Sequence, residues 1–238
     1  MAKSWGPWKN LAQIGEGGMG HVFQVKHSET GQTGALKRLK NSNRHGRFNQ
    51  EVEAVRLLEH PGVVRLINAN LDHEPFYAVY EFEPGGSLAD IPVDELLAIP
   101  LSQRLVWCEQ LCSALAHAHS KTLVHRDIKP DNVLISEDRS SARLCDFGLV
   151  YFDQGERFTE TMEQVGSRFY LAPESEEGRA EEVGAGLDIY SLEKVLYYVV
   201  RGRIYARERH RAPENDLAKI LRTSLQSRDL MKNVTTPP

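Results

Sequence analysis

The sequence predicts an α+β fold in two lobes, a strand-rich first lobe with one main helix and a mostly helical second lobe. Three observations predict it. Short apolar runs parted by turn residues dominate from Trp8 to about Phe82. One helical period interrupts them, with Phe48, Val52, Val55 and Leu58 at spacings of four and three. After Pro84-Gly85-Gly86 the apolar period lengthens to that of long helices. The lobes divide as residues 1–82 and 83–238, and the Glu83 to Ser87 connection is too short for a flexible linker, so they meet across a hinge.

Taken in order, Gly20 to Val25 and Ala35 to Leu39 read as strands separated by the turn-rich Ser28-Glu29-Thr30-Gly31. The Phe48 to Leu58 helix stops at His60-Pro61-Gly62, and strand-like runs follow at Val63 to Ile67 and Phe76 to Phe82. In the second lobe Leu101, Leu105, Cys108, Leu111, Leu115 and Ala118 mark one face of a long helix. Leu187 to Val200 is apolar enough to be a buried helix. Between them lie two short apolar runs, Asn132 to Ile135 and Ala142 to Leu144, set among polar residues where chemistry is expected to concentrate.

Composition narrows the function. With 238 residues, 41% hydrophobic and 26% charged, the chain can bury a substantial core, which excludes disorder. A formal charge of −4 supplies no field for a nucleic-acid partner. No window is apolar over about eighteen consecutive residues, and the first twenty lack the apolar run of a signal peptide. The expectation is a cytosolic protein, or the soluble part of a longer one from which a sensor or tail region is missing. Ala2 removes N-myristoylation. The three cysteines are expected to be reduced. Cys108 and Cys112, with His117 and His119 nearby, lack the paired spacing of a zinc site and read as buried free thiols.

Gly15-Glu16-Gly17-Gly18-Met19-Gly20-His21-Val22 is a G-x-G-x-x-G-x-V run. Glycine lets backbone N–H groups approach a polyphosphate without Cβ obstruction. A dinucleotide-binding turn has a similar pattern but opens a helix, whereas His21 to Val25 reads as strand. A glycine-rich hairpin without a ligand stays open for this motif alone. Lys37 follows in a strand, and Glu51 lies fourteen residues later on the helix. A strand lysine that binds phosphate needs an acidic partner to hold its stem, and these two fit such a pair, although each alone reads as a solvated charge.

The decisive segment is His125-Arg126-Asp127-Ile128-Lys129-Pro130-Asp131-Asn132, followed by Asp146-Phe147-Gly148 and Ala172-Pro173-Glu174. Here the chain resembles the eukaryotic-type protein kinases from about Trp8 to about Arg203, with every signature motif in order. The resemblance implies a two-lobed protein kinase fold, with ATP as phosphoryl donor, Mg²⁺ as cofactor and a protein bearing a Ser or Thr acceptor as substrate. By resemblance Asp127 accepts the hydroxyl proton and Lys129 stabilises the transferring phosphate. Lys37 and Glu51 form the phosphate-anchoring pair, and Asn132 and Asp146 hold magnesium. Gly15, Gly17 and Gly20 cover the phosphates. Val22, Ala35 and Leu134 sandwich the adenine, Tyr80 gates the back of the pocket, and Glu81, Phe82 and Glu83 form the hinge. Lys129 also favours Ser/Thr over Tyr kinases. Val55, Leu66, His125 and Phe147 are expected to form an apolar stack, which makes His125 a packing residue and not a base.

The same resemblance makes Asp146 to Glu174 the activation loop, with Thr159 and Thr161 as autophosphorylation candidates pairing with Arg126, and Ser167 touching base and substrate. The acidic run Glu174 to Glu182 could select basic peptides, and it also reads as a solvated loop. Two departures stand out: Glu193 replaces a usual glycine, and the late arginine that should pair with Glu174 has only Arg222 and Arg228 as candidates. The Gly-rich loop and the Arg201 to Glu214 stretch are reminiscent of bacterial members. Two rival readings are a nucleotide-binding pseudokinase, disfavoured because no catalytic residue is missing, and a small-molecule phosphotransferase, disfavoured by Arg126 and Pro173.

Overall fold

The computed structural model describes residues 4–18, 20–147, 169–172, 184–206, 209, 212–216 and 218–222. Met19, Gly148, Thr159, Thr161, Ser167, Pro173, the acidic run Glu174 to Glu182 and Arg228 lie outside the described residues.

The alternating runs of the first lobe become a six-stranded antiparallel sheet. Its strands are β1 (Ser4–Trp5), β2 (Trp8–Glu16), β3 (Gly20–His27), β4 (Thr33–Leu39), β5 (Leu66–Asn70) and β6 (Tyr77–Glu81), in the order β1-β2-β3-β4-β6-β5. Directly opposed residues share a face. Val22 opposes Lys37, Gln24 opposes Ala35, and Ala35 and Lys37 oppose Tyr80 and Ala78, so Val22, Ala35, Lys37 and Tyr80 line one face. The other face carries Phe23, Val25, Leu36, Tyr77 and Val79, sealed by Trp5 and Trp8. The β1–β2 hairpin brings those two tryptophans back over the sheet. Two residues are too few for an alternation to be read, so β1 escaped the sequence pattern.

Helix α1 (His45–Arg56) buries Phe48, Glu51, Val52, Ala54 and Val55. Phe48 and Val52 pack with Leu39 and Ala78 of the sheet. Full burial of such a side chain contributes about 1.5–3 kcal/mol. Pro61 prevents continuation of the helix. The strand expected at Val63 to Ile67 lies instead at Leu66–Asn70. Val63 and Val64 are diverted: Val63 bridges Leu144, and the Val64 N–H donates to the Leu144 carbonyl at 2.9 Å. Val63 is buried in the second lobe's core and Val64 is buried beside it, bonded to β8 and not to the sheet.

That second core is built on α2 (Val93–Ala98), α3 (Leu101–Ser120), the hairpin β7 (Val133–Ile135) and β8 (Ala142–Leu144), and α4 (Ala185–Arg201). Trp107, Leu111, Ala114, Leu115 and Ala118 of α3 share one buried cluster with Leu192, Val195 and Val199 of α4. Arg104 is buried on α3 because it has work there: its guanidinium donates to the carbonyls of Val199 and Val200 at 2.6 and 3.0 Å, capping the end of α4. Lys194 is also buried, donating to the Tyr205 carbonyl at 2.8 Å with its ammonium 3.6 Å from the Tyr205 ring centre. Cys108 is buried as expected, but Cys112 is exposed. Four residues advance a helix by about 40° beyond a full turn, enough to carry Cys112 off the covered stripe.

Candidate active site

The glycine-rich segment is the turn between β2 and β3, closed by the Gly17 N–H donating to the Gly20 carbonyl at 2.9 Å. A Cβ on Gly20 would run into the carbonyl oxygen of Arg38, so strand packing alone demands glycine there. Gly15 has only ordinary contact with Val22, and a Cβ on Gly17 would enter open space. The loop is tied back towards α1. Lys40 donates to Glu16 at 2.5 Å, and Arg44 donates to the Gly18 carbonyl at 2.9 Å.

Lys37 of β4 stands between two carboxylates, 2.6 Å from Glu51 Oε1 and 2.6 Å from Asp146 Oδ1. The Glu51 contact is the one spacing suggested. The Asp146 contact spans 109 residues and joins the lobes. One cation between two anions leaves a net negative centre, and burial decides which anion suffers. Glu51 has a side chain 1% exposed and Asp146 one 44% exposed. Burial pushes the Glu51 carboxyl up to about 7, against the pull of the Lys37 ammonium. Burial works the same way on Asp146, but Lys37 outweighs it and holds that carboxyl below its usual value. Burial also opposes the charge on Lys37, and Asp146 and Glu51 together more than offset it, raising its pKa. Glu51 Oε2 and the Tyr80 hydroxyl are both buried without a hydrogen-bond partner.

The polar stretch after α3 holds the second group. Asp127 Oδ2 accepts from Lys129 Nζ at 2.8 Å and from Asn132 Nδ2 at 2.9 Å, and Asn132 Nδ2 also donates to the Asp127 carbonyl at 2.7 Å. Burial raises the Asp127 pKa, with Lys129 only partly offsetting it. His125 Nδ1 accepts from the Asp127 N–H at 3.3 Å, and its Nε2 donates to the Cys145 carbonyl at 3.0 Å. Both ring nitrogens are thus engaged, and the ring lies 4.4 Å from that of Phe147. Val55 and Phe147 belong to the main core, with Leu66 packed against it.

Sequence reasoning missed what holds this loop in shape. Asp188, wholly buried in the first turn of α4, accepts from the backbone N–H groups of His125 and Arg126, each at 2.7 Å, and lies 2.8 Å from His119 Nε2. The signal was an acidic residue opening an otherwise apolar helix, which reads equally well as a favourable charge at a helix N-terminus. Arg126 and Asp146 both adopt positive φ, 65° and 60°, an uncommon backbone for non-glycine residues. Such strain persists only where neighbours over-determine it, as the Asp188 clamp does for Arg126.

The remaining candidates are placed as follows. Val22, Ala35 and Tyr80 share the sheet face with Lys37, Glu81 ends β6, Phe82 and Glu83 continue from it, and Leu134 is in β7, bridged to Ser87. The donor set suits a hard divalent cation. Asn132 directs its amide nitrogen to Asp127, leaving its oxygen as a ligand, and Asp146 keeps one carboxylate oxygen beyond its bond to Lys37.

A sheet lobe and a helical lobe joined by the Lys37–Asp146 contact, with Asp127 held by Lys129 and Asn132 on a strained loop, define a phosphotransferase of the protein kinase type. The chain belongs to the protein kinase domain family, whose model matches residues 8–237. It is similar to the serine/threonine-protein kinase ppk25 of Schizosaccharomyces pombe, 33% identical over 208 residues, covering 84% of this chain and 47% of that protein. It is also similar to the serine/threonine-protein kinase PrkC of Bacillus subtilis, 32% identical over 204 residues, 84% of this chain and 31% of that protein. The serine/threonine-protein kinase DCLK3 of Mus musculus is 34% identical over 197 residues, 79% of this chain and 24% of that protein. The chain therefore spans less than half the length of these relatives.

Proposed function

We propose that the chain is an ATP- and Mg²⁺-dependent kinase that phosphorylates Ser or Thr hydroxyls of proteins, with residues 1–82 and 83–238 as the two lobes of one catalytic domain. The observation that carries the reading is Lys37 held at 2.6 Å by both Glu51 and Asp146, beside an Asp127 carboxylate oriented by two donors. Bound ATP and magnesium supply the phosphoryl group and the cation that neutralises its charge. The protein's part is positioning. Lys37 directs its ammonium at phosphate oxygens, with Glu51 keeping its stem in place. Asn132 and Asp146 offer oxygen ligands to the metal. Lys129 stays beside Asp127 to balance developing negative charge, and the free oxygen of Asp127 receives the proton of the attacking hydroxyl. Gly15, Gly17 and Gly20 cover the phosphates. Val22, Ala35 and Leu134 enclose the adenine, Tyr80 closes the back of its pocket, and the backbone of Glu81 to Glu83 pairs with its edge. Autophosphorylation at Thr159 or Thr161 belongs to the same reading, as does a cytosolic location; no helix among the described residues is long and apolar enough to cross a membrane.

Incubation with labelled ATP, Mg²⁺ and a generic basic protein tests this. Label on Ser or Thr, abolished by chelation of the metal, is expected. Nucleotide binding with no label on any acceptor, itself included, would instead establish the pseudokinase reading.

The pH dependence has a defined sign. Below about pH 7 Glu51 takes a proton, its pull on Lys37 weakens, and activity falls as pH drops towards 6. A Glu51→Gln variant, measured as kcat/KM against pH, is expected to start lower and to lose that limb. Stability runs the other way. The folded protein binds the Glu51 proton more tightly than the unfolded chain, so this group's contribution declines as pH rises from the ordinary value of 4.5 to about 7.

A further inference from the structure

The segment Glu81-Phe82-Glu83 puts two carboxylates within three residues. Left alone they repel. Each instead has a cation, and the cations come from opposite sides of the hinge. Arg65, just ahead of β5, donates to Glu81 Oε1 through Nε at 2.8 Å, with Nη2 2.7 Å from the same oxygen. Its backbone carbonyl also accepts the Glu81 N–H at 2.9 Å. Arg143 of β8 donates from Nη1 to Glu81 Oε2 at 2.8 Å, and its Nε lies 3.6 Å from Glu83 Oε2. Both oxygens of Glu81 are therefore occupied, one from each lobe. Arg143 sits directly opposite Leu134 in the β7–β8 register, so the residue proposed to lie against the adenine and the residue gripping the hinge are cross-strand partners. The Glu81, Glu83 and Arg143 side chains are 30%, 14% and 31% exposed, and Arg65 is mostly exposed.

We propose that Arg143 is a positioning residue for the nucleotide: the clasp Arg65–Glu81–Arg143–Glu83 sets the hinge backbone against the β7–β8 hairpin and so fixes the spacing of the adenine seat. This deepens the kinase reading and rests on it. Isolated exposed ion pairs contribute little, but here one guanidinium spans two carboxylates and a second shares one of them, so the effect is that of a network. Arg143 touches neither phosphate nor acceptor, so its loss weakens binding while the chemical step is spared. A looser hinge also speeds product release, which limits turnover in many enzymes.

The test compares wild type, Arg143→Gln, Arg143→Lys, Arg65→Gln and the double glutamine variant. It reads the Kd of the magnesium complex of a non-hydrolysable ATP analogue, kcat, KM and the thermal midpoint, at low and high salt. Arg143→Gln is expected to raise Kd and KM by about 3–10-fold with kcat unchanged or higher, the difference shrinking at high salt. Lysine, a single point charge, restores part of it. Removing both arginines costs less than the product of the two single effects. Wild-type Kd in Arg143→Gln at low salt overturns the proposal, as does a parallel loss of kcat and thermal midpoint, the mark of a purely structural role. A wild type that binds no nucleotide defeats the kinase reading instead. The clasp is then read from amide hydrogen exchange at Phe82, Glu83, Gly85 and Gly86, which accelerates in Arg143→Gln if the clasp orders the hinge and is unchanged if it does not.

Discussion

Replacing Asp127 by Asn is expected to leave nucleotide affinity intact and to lower phosphoryl transfer by about 10²–10⁴-fold. The substitution conserves volume, so the effect isolates chemistry. In the native site Lys129 and Asn132 both donate to Oδ2, and the proposed mechanism gives the other oxygen to the acceptor hydroxyl. An asparagine must turn its own oxygen to those two donors. Its NH₂ group then faces the hydroxyl, where it can donate but cannot accept a proton. Single-turnover transfer from saturating labelled ATP, measured beside nucleotide affinity, separates the two effects. A variant retaining transfer within a factor of two would remove Asp127 as the base.

The second large effect is structural. Replacing Asp188 by Ala is expected to cost about 3–5 kcal/mol, because a buried and a part-buried backbone N–H and His119 lose their acceptor together. Domains of this size are stable by about 5–15 kcal/mol, so the loss takes a large share of the total. Activity falls further than stability, since Arg126 keeps its positive φ only while the clamp holds and Asp127 is the next residue along. Asp188→Asn preserves one acceptor but turns an NH₂ group against a backbone N–H, and its midpoint is expected between wild type and alanine. Urea unfolding reads all three. An alanine variant with the wild-type midpoint would show that the loop is shaped by other contacts.

Much of this site was legible because its chemistry is written in short spacings. Asp127, Lys129 and Asn132 lie within six residues, and their mutual hydrogen bonds follow once the loop is formed. Lys37 and Glu51 were paired by reasoning that a strand lysine needs an acidic partner on the next element. The strand expected at Val63 to Ile67 went astray because an apolar run reports burial and not which neighbour provides it. Cys112 went astray because one helix stripe has an edge that spacing alone cannot locate.

By itself, the sequence determined the two lobes, the glycine turn, the long helices and the order of the reactive residues, since alternation, helical period and turn chemistry act between residues a few positions apart. Only the tertiary structure decided that Lys37 also reaches Asp146, that Asp188 shapes the loop of Asp127 from 62 residues away, and that Arg65, just ahead of β5, and Arg143 of β8 both grip the hinge. The physical reason is common to all three. A charge withdrawn from water must find a partner of opposite sign or a set of donors, and which distant residue supplies it is settled by how the lobes pack together.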